Sequence, residues 1–281
     1  MRILHILDHS LPQQSGYVFR TLGILRAQRA RGWDTWHLTT PRHPDTDGPE
    51  ETVDGWHFYR TPMTGHPLDK LPLAADWRQM AATRARLDSV IGEVRPDILH
   101  AHSPILNGLP ALSAARRHRL PLVYEVRAFW EDAAVDLRKV RPWGPRYRAT
   151  RGLETFLLRR ADAVVTICEG LRGDVLGRGI PAGKVTVVPN AVDMTAFHDV
   201  PPRDPALAER FGLVEGATIG FIGSFYAYEG LELLVEAMAV LKDEVPELKL
   251  LLVGGGPQEE RLKALAKSHG LEGRAIFTGR V

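Results

Sequence analysis

Thr218-Ile219-Gly220-Phe221-Ile222, then Gly223-Ser224-Phe225-Tyr226-Ala227-Tyr228-Glu229-Gly230, then Leu231, Leu234, Val235, Met238 and Leu241 at helical spacing: this stretch reads as strand, glycine-containing turn and amphipathic helix. The unit repeats at once. Leu248 to Val253 is a second apolar run, Gly254-Gly255-Gly256-Pro257 a second turn, and a charged helix follows through Leu262 and Leu265. A third run, Ala275-Ile276-Phe277, opens before the chain ends at Gly279-Arg280-Val281. Short continuous apolar runs suit strands buried in a parallel sheet. Their alternation with helices predicts an α/β, doubly wound arrangement. Ligands of such sheets bind outside the C-terminal strand ends, where helix N-termini offer unpaired N–H groups and glycine admits an anion to the backbone. The pattern points to a phosphate-carrying ligand. A complete sheet would continue for about 100 further residues, so the second domain is expected to be incomplete.

The same alternation extends back to the N-terminus. Ile3 to Leu7 reads as a strand, His9 to Gly16 as a loop, and Tyr17 to Arg31 as a helix with Val18, Leu22 and Leu25 on one face and Gly32 as its stop. Thr35 to Thr39 is a second strand. Residues 41–72 read mainly as loop, with a candidate strand at Trp56 to Arg60. A helix presents Trp77, Met80, Arg84, Leu87, Ile91 and Val94 at 3/4 spacing, and Pro96 ends it. Strands are expected at Ile98-Leu99-His100, Leu122 to Val126, Ala163 to Ile167 and Val185 to Val188, with helices at Leu109 to Arg119 and Arg146 to Arg160. The Pro-rich stretch Val200 to Pro205 marks a boundary between residues 1–199 and 200–281. Two Rossmann-like domains facing each other would leave a cleft.

Composition narrows the classes. At 281 residues, 44% hydrophobic and 25% charged, the chain is ordinary for a globular protein, and its net charge of +2 gives no global field for nucleic acid. The lone Cys168 excludes an intrachain disulfide and fits a reducing, cytoplasmic setting; it is expected to be an inert buried thiol. No run approaches the length of a membrane-spanning helix.

Candidate chemistry lies at strand ends. His100 and His102, two apart, point to one face of a strand: either a polar pair looking into the cleft or a satisfied pair at a strand terminus. A metal is disfavoured because no third ligand sits at a recognisable spacing. Gln13-Gln14-Ser15-Gly16 either cradles a phosphate or is a plain turn. In Glu125 to Asp132, Arg127 is a candidate to hold a phosphate or carboxylate, and Glu125 or Glu131 to contact sugar hydroxyls, against a surface ion-pair network. Asp45-Thr46-Asp47 has no strand delivering it and is read as a decoy for a metal–diphosphate site. Arg138 to Arg160 mixes arginines with Trp143, Tyr147 and Phe156, which suits either an anionic bilayer surface or a solvated helix face.

Taken together, Asp97-Ile98-Leu99-His100-Ala101-His102-Ser103, Ala161 to Thr166, Val187-Val188-Pro189-Asn190-Ala191-Val192-Asp193, Gly223 to Gly230, Leu251 to Pro257 and Phe277 to Val281 resemble the retaining glycosyltransferases of GT-B fold, family-4-like, along the whole chain. Leu4 to Pro12 and Tyr124 to Asp132 resemble a narrower branch, the exopolysaccharide glycosyltransferases associated with the exosortase (PEP-CTERM) system. The resemblance implies a nucleotide-diphosphate sugar on the second domain and a saccharide or lipid-linked acceptor on the first, with no metal or other cofactor. It assigns a catalytic role to His102. It assigns donor contacts to Gly16, Arg127, Asn190, Gly223, Ser224, Gly254, Gly255, Gly256, Arg280 and Val281, and acceptor-side contacts to Glu125, Trp130 and Glu131. The diphosphate would leave while an acceptor hydroxyl attacks the same face of an oxocarbenium-like sugar, N–H dipoles and cations stabilising the departing charge. Many relatives place an arginine and a lysine where this chain has Ser224 and Glu229, so the cations are expected elsewhere, Arg127 first. The family's later glutamate pair would lie beyond Val281, which implies a C-terminally truncated chain. Two alternatives stay open: a nucleotide-sugar 2-epimerase, and a non-catalytic nucleotide-binding fragment.

Overall fold

The computed structural model describes residues 1–44, 48–71, 73–136, 140–194, 199 and 201–280. Asp45-Thr46-Asp47, Arg138 and Val281 lie outside the described residues. The chain divides into two compact units, Met1–Asp193 and Met194–Val281.

The first unit runs β1 (Arg2–Leu7), α1 (Gly16–Ala30), β2 (Asp34–Thr39), β3 (Glu50–Val53), β4 (Trp56–Tyr59), α2 (Ala74–Val94), β5 (Ile98–His102), α3 (Ile105–His118), β6 (Leu122–Val126), α4 (Trp130–Asp136), α5 (Pro145–Arg160), β7 (Ala163–Thr166), α6 (Glu169–Gly177) and β8 (Val185–Val187). Its sheet has the order β3-β4-β2-β1-β5-β6-β7-β8, parallel except where β3 meets β4. From β1 the chain proceeds outward to β2 on one side and later to β5 on the other. The order therefore reverses between β1 and β5, the place where doubly wound sheets bind ligands.

Side-chain alternation fills both faces. Leu4 and Ile6 of β1 join Leu87, Val90, Leu99, Leu122, Tyr124 and Leu157 in the larger core. On the opposite face Leu7 packs with Val18, Leu22 and Leu25 of α1 and with Trp56 and Phe58. Each fully buried leucine contributes about 1.5–3 kcal/mol. Ser15 caps α1, its Oγ accepting from the Val18 N–H, a contact worth about 1 kcal/mol.

Several elements differ from the sequence reading. The segment at 50–59 is a β-hairpin: Asp54 and Gly55 both have positive φ (51° and 75°), the geometry of a type I′ turn. The Asp-Gly pair was the available signal. Trp77, placed on the inward face of α2 by spacing, is 71% exposed; that helix instead buries Gln79, Thr83, Leu87, Val90, Ile91 and Val94. The 3/4 template fits two adjacent faces at the N-terminal turn. Cys168 is exposed, because it is the N-cap of α6 and its Sγ faces the Leu171 N–H. No helix among the described residues is long and apolar enough to cross a membrane.

The second unit runs α7 (Pro205–Arg210), β9 (Thr218–Ser224), α8 (Leu231–Leu241), β10 (Lys249–Gly255), α9 (Glu259–Ser268) and β11 (Ala275–Gly279), with parallel strands in the order β11-β10-β9. Leu250 and Leu252 pack with Phe225, Leu231, Val235, Met238, Leu262 and Ala266. The apolar run of β9 is not buried on both faces as expected: Ile222 is 82% exposed. Phe221 is the register partner of Leu252 and packs on the core, so its neighbour Ile222 points the other way.

The glycine turns of this unit touch backbone to backbone. A Cβ on Gly254, whose φ is +131°, would lie 1.9 Å from the Gly223 carbonyl oxygen. One on Gly256 would lie 2.7 Å from the Phe225 nitrogen. Gly254→Ala is therefore expected to destabilise the unit by about 3 kcal/mol. Hydrogen exchange should accelerate in Thr218–Ser224 and Lys249–Gly255 while Arg2–Leu7 keeps its protection; unchanged exchange in both strands would refute the close-packing account.

Candidate active site

Helix α1 covers a polar layer at the β1/β5 switch point. His5 of β1 is the register partner of His37 of β2 and of His100 of β5. These imidazoles and His102 therefore share one face, with ring centroids 4.3 Å apart for His100–His102 and 4.9 Å for His5–His100. All four are buried. The one-face expectation for His100 and His102 is what the strand shows, but the face lies under α1. His102 is wholly buried in this layer.

Hydrogen bonds fix the tautomers of this layer. Arg127 Nη2 lies 2.7 Å from His102 Nδ1, and a guanidinium can only donate. His102 Nδ1 is thus the acceptor and Nε2 carries the proton, which it donates to His5 Nδ1 at 3.0 Å. His5 Nε2–H then donates to Gln28 Oε1 at 2.9 Å. Burial pushes the His102 imidazole down to about 3, with His100 and Arg127 adding to the effect. Burial likewise holds His5 well below the usual histidine range, helped by His100 and His102. His5 is the third imidazole that spacing along the sequence could not reveal, and its nitrogens lie within 4.8 Å of those of His100 and His102. The facing nitrogens of His5 and His102 bond each other in this arrangement.

Arg127 is also committed. It donates to Glu125 Oε1 (2.8 Å), the Tyr17 carbonyl (2.7 Å) and Thr21 Oγ1 (3.0 Å), as well as to His102. In this arrangement its guanidinium is fully occupied by groups of the chain itself. Glu125 accepts from Arg20 Nε at 3.0 Å and lies 3.3 Å from His100 Nε2. Burial opposes its charge, yet His102, His100 and Arg127 outweigh it and hold the carboxyl well below the usual range. Arg20 continues to the carbonyls of Val188 (2.8 Å) and Pro189 (2.9 Å) and to Asn190 Oδ1 (3.1 Å). Asn190 is thereby tied to the switch point by an arginine the sequence reading passed over.

The acceptor-side carboxylates are likewise engaged within the chain. Glu125 and Glu131 are buried, and Glu131 pairs with Arg178 Nη2 at 2.8 Å in the interior. Neither presents a free carboxylate to a sugar. Trp130 is part-exposed, with the Arg42 guanidinium 4.6 Å over its ring.

The loop between β1 and α1 holds a different imidazole. His9 Nδ1 lies 3.2 Å from Asp8 Oδ2 and His9 Nε2 lies 2.9 Å from Ser15 Oγ. A carboxylate only accepts, so Nδ1 carries the proton and Nε2 offers its lone pair to the Ser15 hydroxyl. The Ser15 oxygen accepts in turn from Val18. Asp8 is held from its other oxygen by Arg42 at 3.1 Å, and the His9 ring stacks on Tyr17 at 4.6 Å. His9 is 22% exposed at its side chain. Unlike the layer beneath α1, it joins a fixed tautomer to solvent access. The loop itself is pinned by the buried Arg60, which donates to Ser10 Oγ (2.6 Å) and the Leu11 carbonyl (2.7 Å). Gly16 follows at the first position of α1, with no atom within 4 Å of the place a Cβ would take. An anion can approach its N–H.

In the second unit, Gly223 and Ser224 end β9, and Gly254 and Gly255 end β10 as their ladder partners. The Gly255 carbonyl accepts from Phe225 N–H at 3.1 Å. These glycines first serve the close approach of one turn to the other. The Glu259 carboxylate lies 3.0 Å from where a Gly255 Cβ would be, and Glu259 and Glu260 occupy the first turn of α9. Carboxylates there already answer the positive end of that helix. Arg280 is exposed just beyond β11.

Residues 15–191 match the family described as Glycosyl transferase 4-like domain, and residues 208–281 match Glycosyl transferases group 1. A 2-deoxystreptamine glucosyltransferase of Streptomyces kanamyceticus is 35% identical over 131 residues, 45% of this chain and 34% of that protein. The putative glycosyltransferase EpsD of Bacillus subtilis is 27% identical over 226 residues, 79% of this chain and 55% of EpsD. The chain spans about half the length of such relatives. Sucrose-phosphate synthase from Thermosynechococcus elongatus superposes with a TM-score of 0.72 at 19% identity, covering 100% of this chain and 70% of the other. Anabaena HepE in complex with UDP-glucose gives 0.68 at 20% identity, covering 100% and 69%. These two likenesses establish the fold.

Proposed function

This chain belongs to the glycosyl transferase 4-like family, and on that footing we propose that it is the acceptor-side unit and part of the donor-side unit of a retaining glycosyltransferase. The donor is a nucleotide-diphosphate sugar and the acceptor a saccharide or lipid-linked saccharide in exopolysaccharide assembly at the inner membrane face. HepE, with a similar fold, holds UDP-glucose, and EpsD is itself described as a putative glycosyltransferase.

The observation that carries the reading is the oriented Asp8–His9 pair at the switch point. An acceptor hydroxyl replaces Ser15 as the partner of His9 Nε2. His9 removes its proton as the oxygen bonds to the anomeric carbon, and the bond from that carbon to the diphosphate oxygen breaks, its electron pair leaving with the phosphate. Asp8 fixes the tautomer and stabilises the imidazolium. The Gly16 N–H, open at the start of α1, receives negative charge on the donor. Metal is not required by this scheme.

Calorimetric titration of UDP- and GDP-sugars, with and without a chelator, is expected to show one site of about micromolar to millimolar affinity that the chelator leaves unchanged. Absence of binding by every nucleotide sugar would sink the donor assignment. Epimerised sugar or free UDP formed without any acceptor would favour the 2-epimerase reading instead.

A further inference from the structure

We propose that the outer face of α5, together with the N-terminal tip of α2, is the surface on which this protein rests against an anionic lipid bilayer. The proposal deepens the reading of a membrane-face transferase and rests on it for its biological sense, but its evidence is separate. Helix α5 carries Arg146, Arg148, Arg151, Arg159 and Arg160. Its only acid, Glu154, is turned into the core, where it accepts from the Tyr124 hydroxyl at 2.7 Å. Burial raises the Glu154 carboxyl to about 7, so even this group adds little negative charge. Arginines are left as the only charged groups on the exposed face of this helix.

Between those arginines stand large apolar side chains. Leu153 and Phe156 of α5 and the preceding Trp143 are exposed. Arg160 lies 3.9 Å over the Phe156 ring and Arg151 5.5 Å over that of Trp143. On the other flank, Leu73 and Trp77 project from the start of α2. They join Met80, Leu106, Leu109 and Leu153 around a groove of about 280 Å³, with Arg146 on its border. A merely solvated helix face gains nothing from aromatic and leucine side chains set among its cations. A bilayer interface uses both: the apolar groups enter at headgroup level and the guanidinium groups meet phosphate. The groove beside the arginines suits an acyl or prenyl chain whose phosphate stays at the surface. Charge selects the occupant, since a face of five arginines matches acidic lipid and repels a cationic partner.

Flotation of the whole chain with phosphatidylcholine vesicles, with and without phosphatidylglycerol, tests this. Binding is expected only with phosphatidylglycerol and should fall at high salt. The triple variant Arg148→Gln, Arg159→Gln, Arg160→Gln should lose about a hundredfold in partitioning, and Trp77→Ser with Phe156→Ser should weaken binding at every salt concentration. Arg116→Gln with Arg119→Gln, at the opposite end of α3, should change nothing. Circular dichroism checks that each variant is folded. Equal binding by the triple variant, equal loss in the α3 control, or no preference for acidic vesicles would overturn the assignment. No sugar donor takes part, so failure here leaves the transferase reading standing. Failure of the donor titration leaves the docking face standing.

Discussion

Between pH 7 and pH 5 the first unit is expected to lose about 2 kcal/mol of folding stability, with a steeper fall below pH 4.5. His102 is held neutral down to about 3 and His37 down to about 4, each chiefly by burial, and burial lowers His5 as well. In the unfolded chain all three take up a proton near 6.5. The unfolded state therefore binds more protons as the pH drops below 6.5; His102 and His37 each remove up to about 1.4 kcal/mol per pH unit until the folded value is reached, and His5 acts in the same direction. His5 and His102 share one hydrogen bond and titrate as a pair. Glu154 works in the opposite sense. Its folded value, raised by burial to about 7, lets the folded state bind its proton first and returns about 2 kcal/mol between pH 7 and pH 5. Glu125 adds nothing to the loss until the pH passes below the normal carboxylate value. There its depressed folded value means that unfolding gains a proton, and the curve steepens. Denaturant unfolding at pH 7, 6, 5 and 4 measures the slope. Glu154→Gln should steepen the decline above pH 4.5. A stability that stays flat from pH 7 to pH 5 in that variant would show that the histidine layer is not held neutral. The second unit provides an internal comparison, since His269 is the one histidine among its described residues.

His9→Ala is expected to lower kcat for sugar transfer by about 10²–10⁴-fold while leaving donor affinity within about twofold of the wild type. The loss belongs to proton removal from the acceptor hydroxyl, so added imidazole should restore part of the rate. Asp8→Asn leaves an imidazole in place but removes the acceptor that fixes its Nδ1 proton, and should cost less than His9→Ala. His102→Asn supplies the contrast. It breaks the bond to His5 and leaves Arg127 short of one acceptor, so its effect should appear in stability without imidazole rescue. If His9→Ala kept its rate, the base would have to be sought elsewhere, the leaving diphosphate included.

Much of the fold was legible because its signals are local. The apolar runs Ile3 to Leu7 and Leu122 to Val126, the 3/4 spacing of Val18, Leu22 and Leu25, and Gly32 at its positive φ of 76° each report on a few consecutive residues. The hairpin at 50–59 was legible too, through Asp54-Gly55, but was masked by the surrounding Pro and Gly. Trp77 shows the limit of periodicity: spacing identifies a face, whereas burial depends on whether a neighbouring element reaches that turn. Cys168 teaches the same lesson at a helix cap.

The site was less legible. Its residues come from separate strands, and their roles depend on what each faces. Arg127, Glu125 and His102 were found by position, yet each is spent on the others beneath α1. Arg20, Arg60 and His5 carry no motif, and their importance arises from partners 20 to 100 or more positions away in the chain. The sequence by itself determined the alternation of strands and helices, the glycine turns and the clustering of polar residues at strand ends, because those follow from local sterics and from the period of the side chains. Tertiary structure alone decided which imidazole is locked and which is open. A proton's position on a ring is set by the donors and acceptors that the packed neighbours bring to it, and those neighbours meet only when β1, β5, β6 and α1 come together.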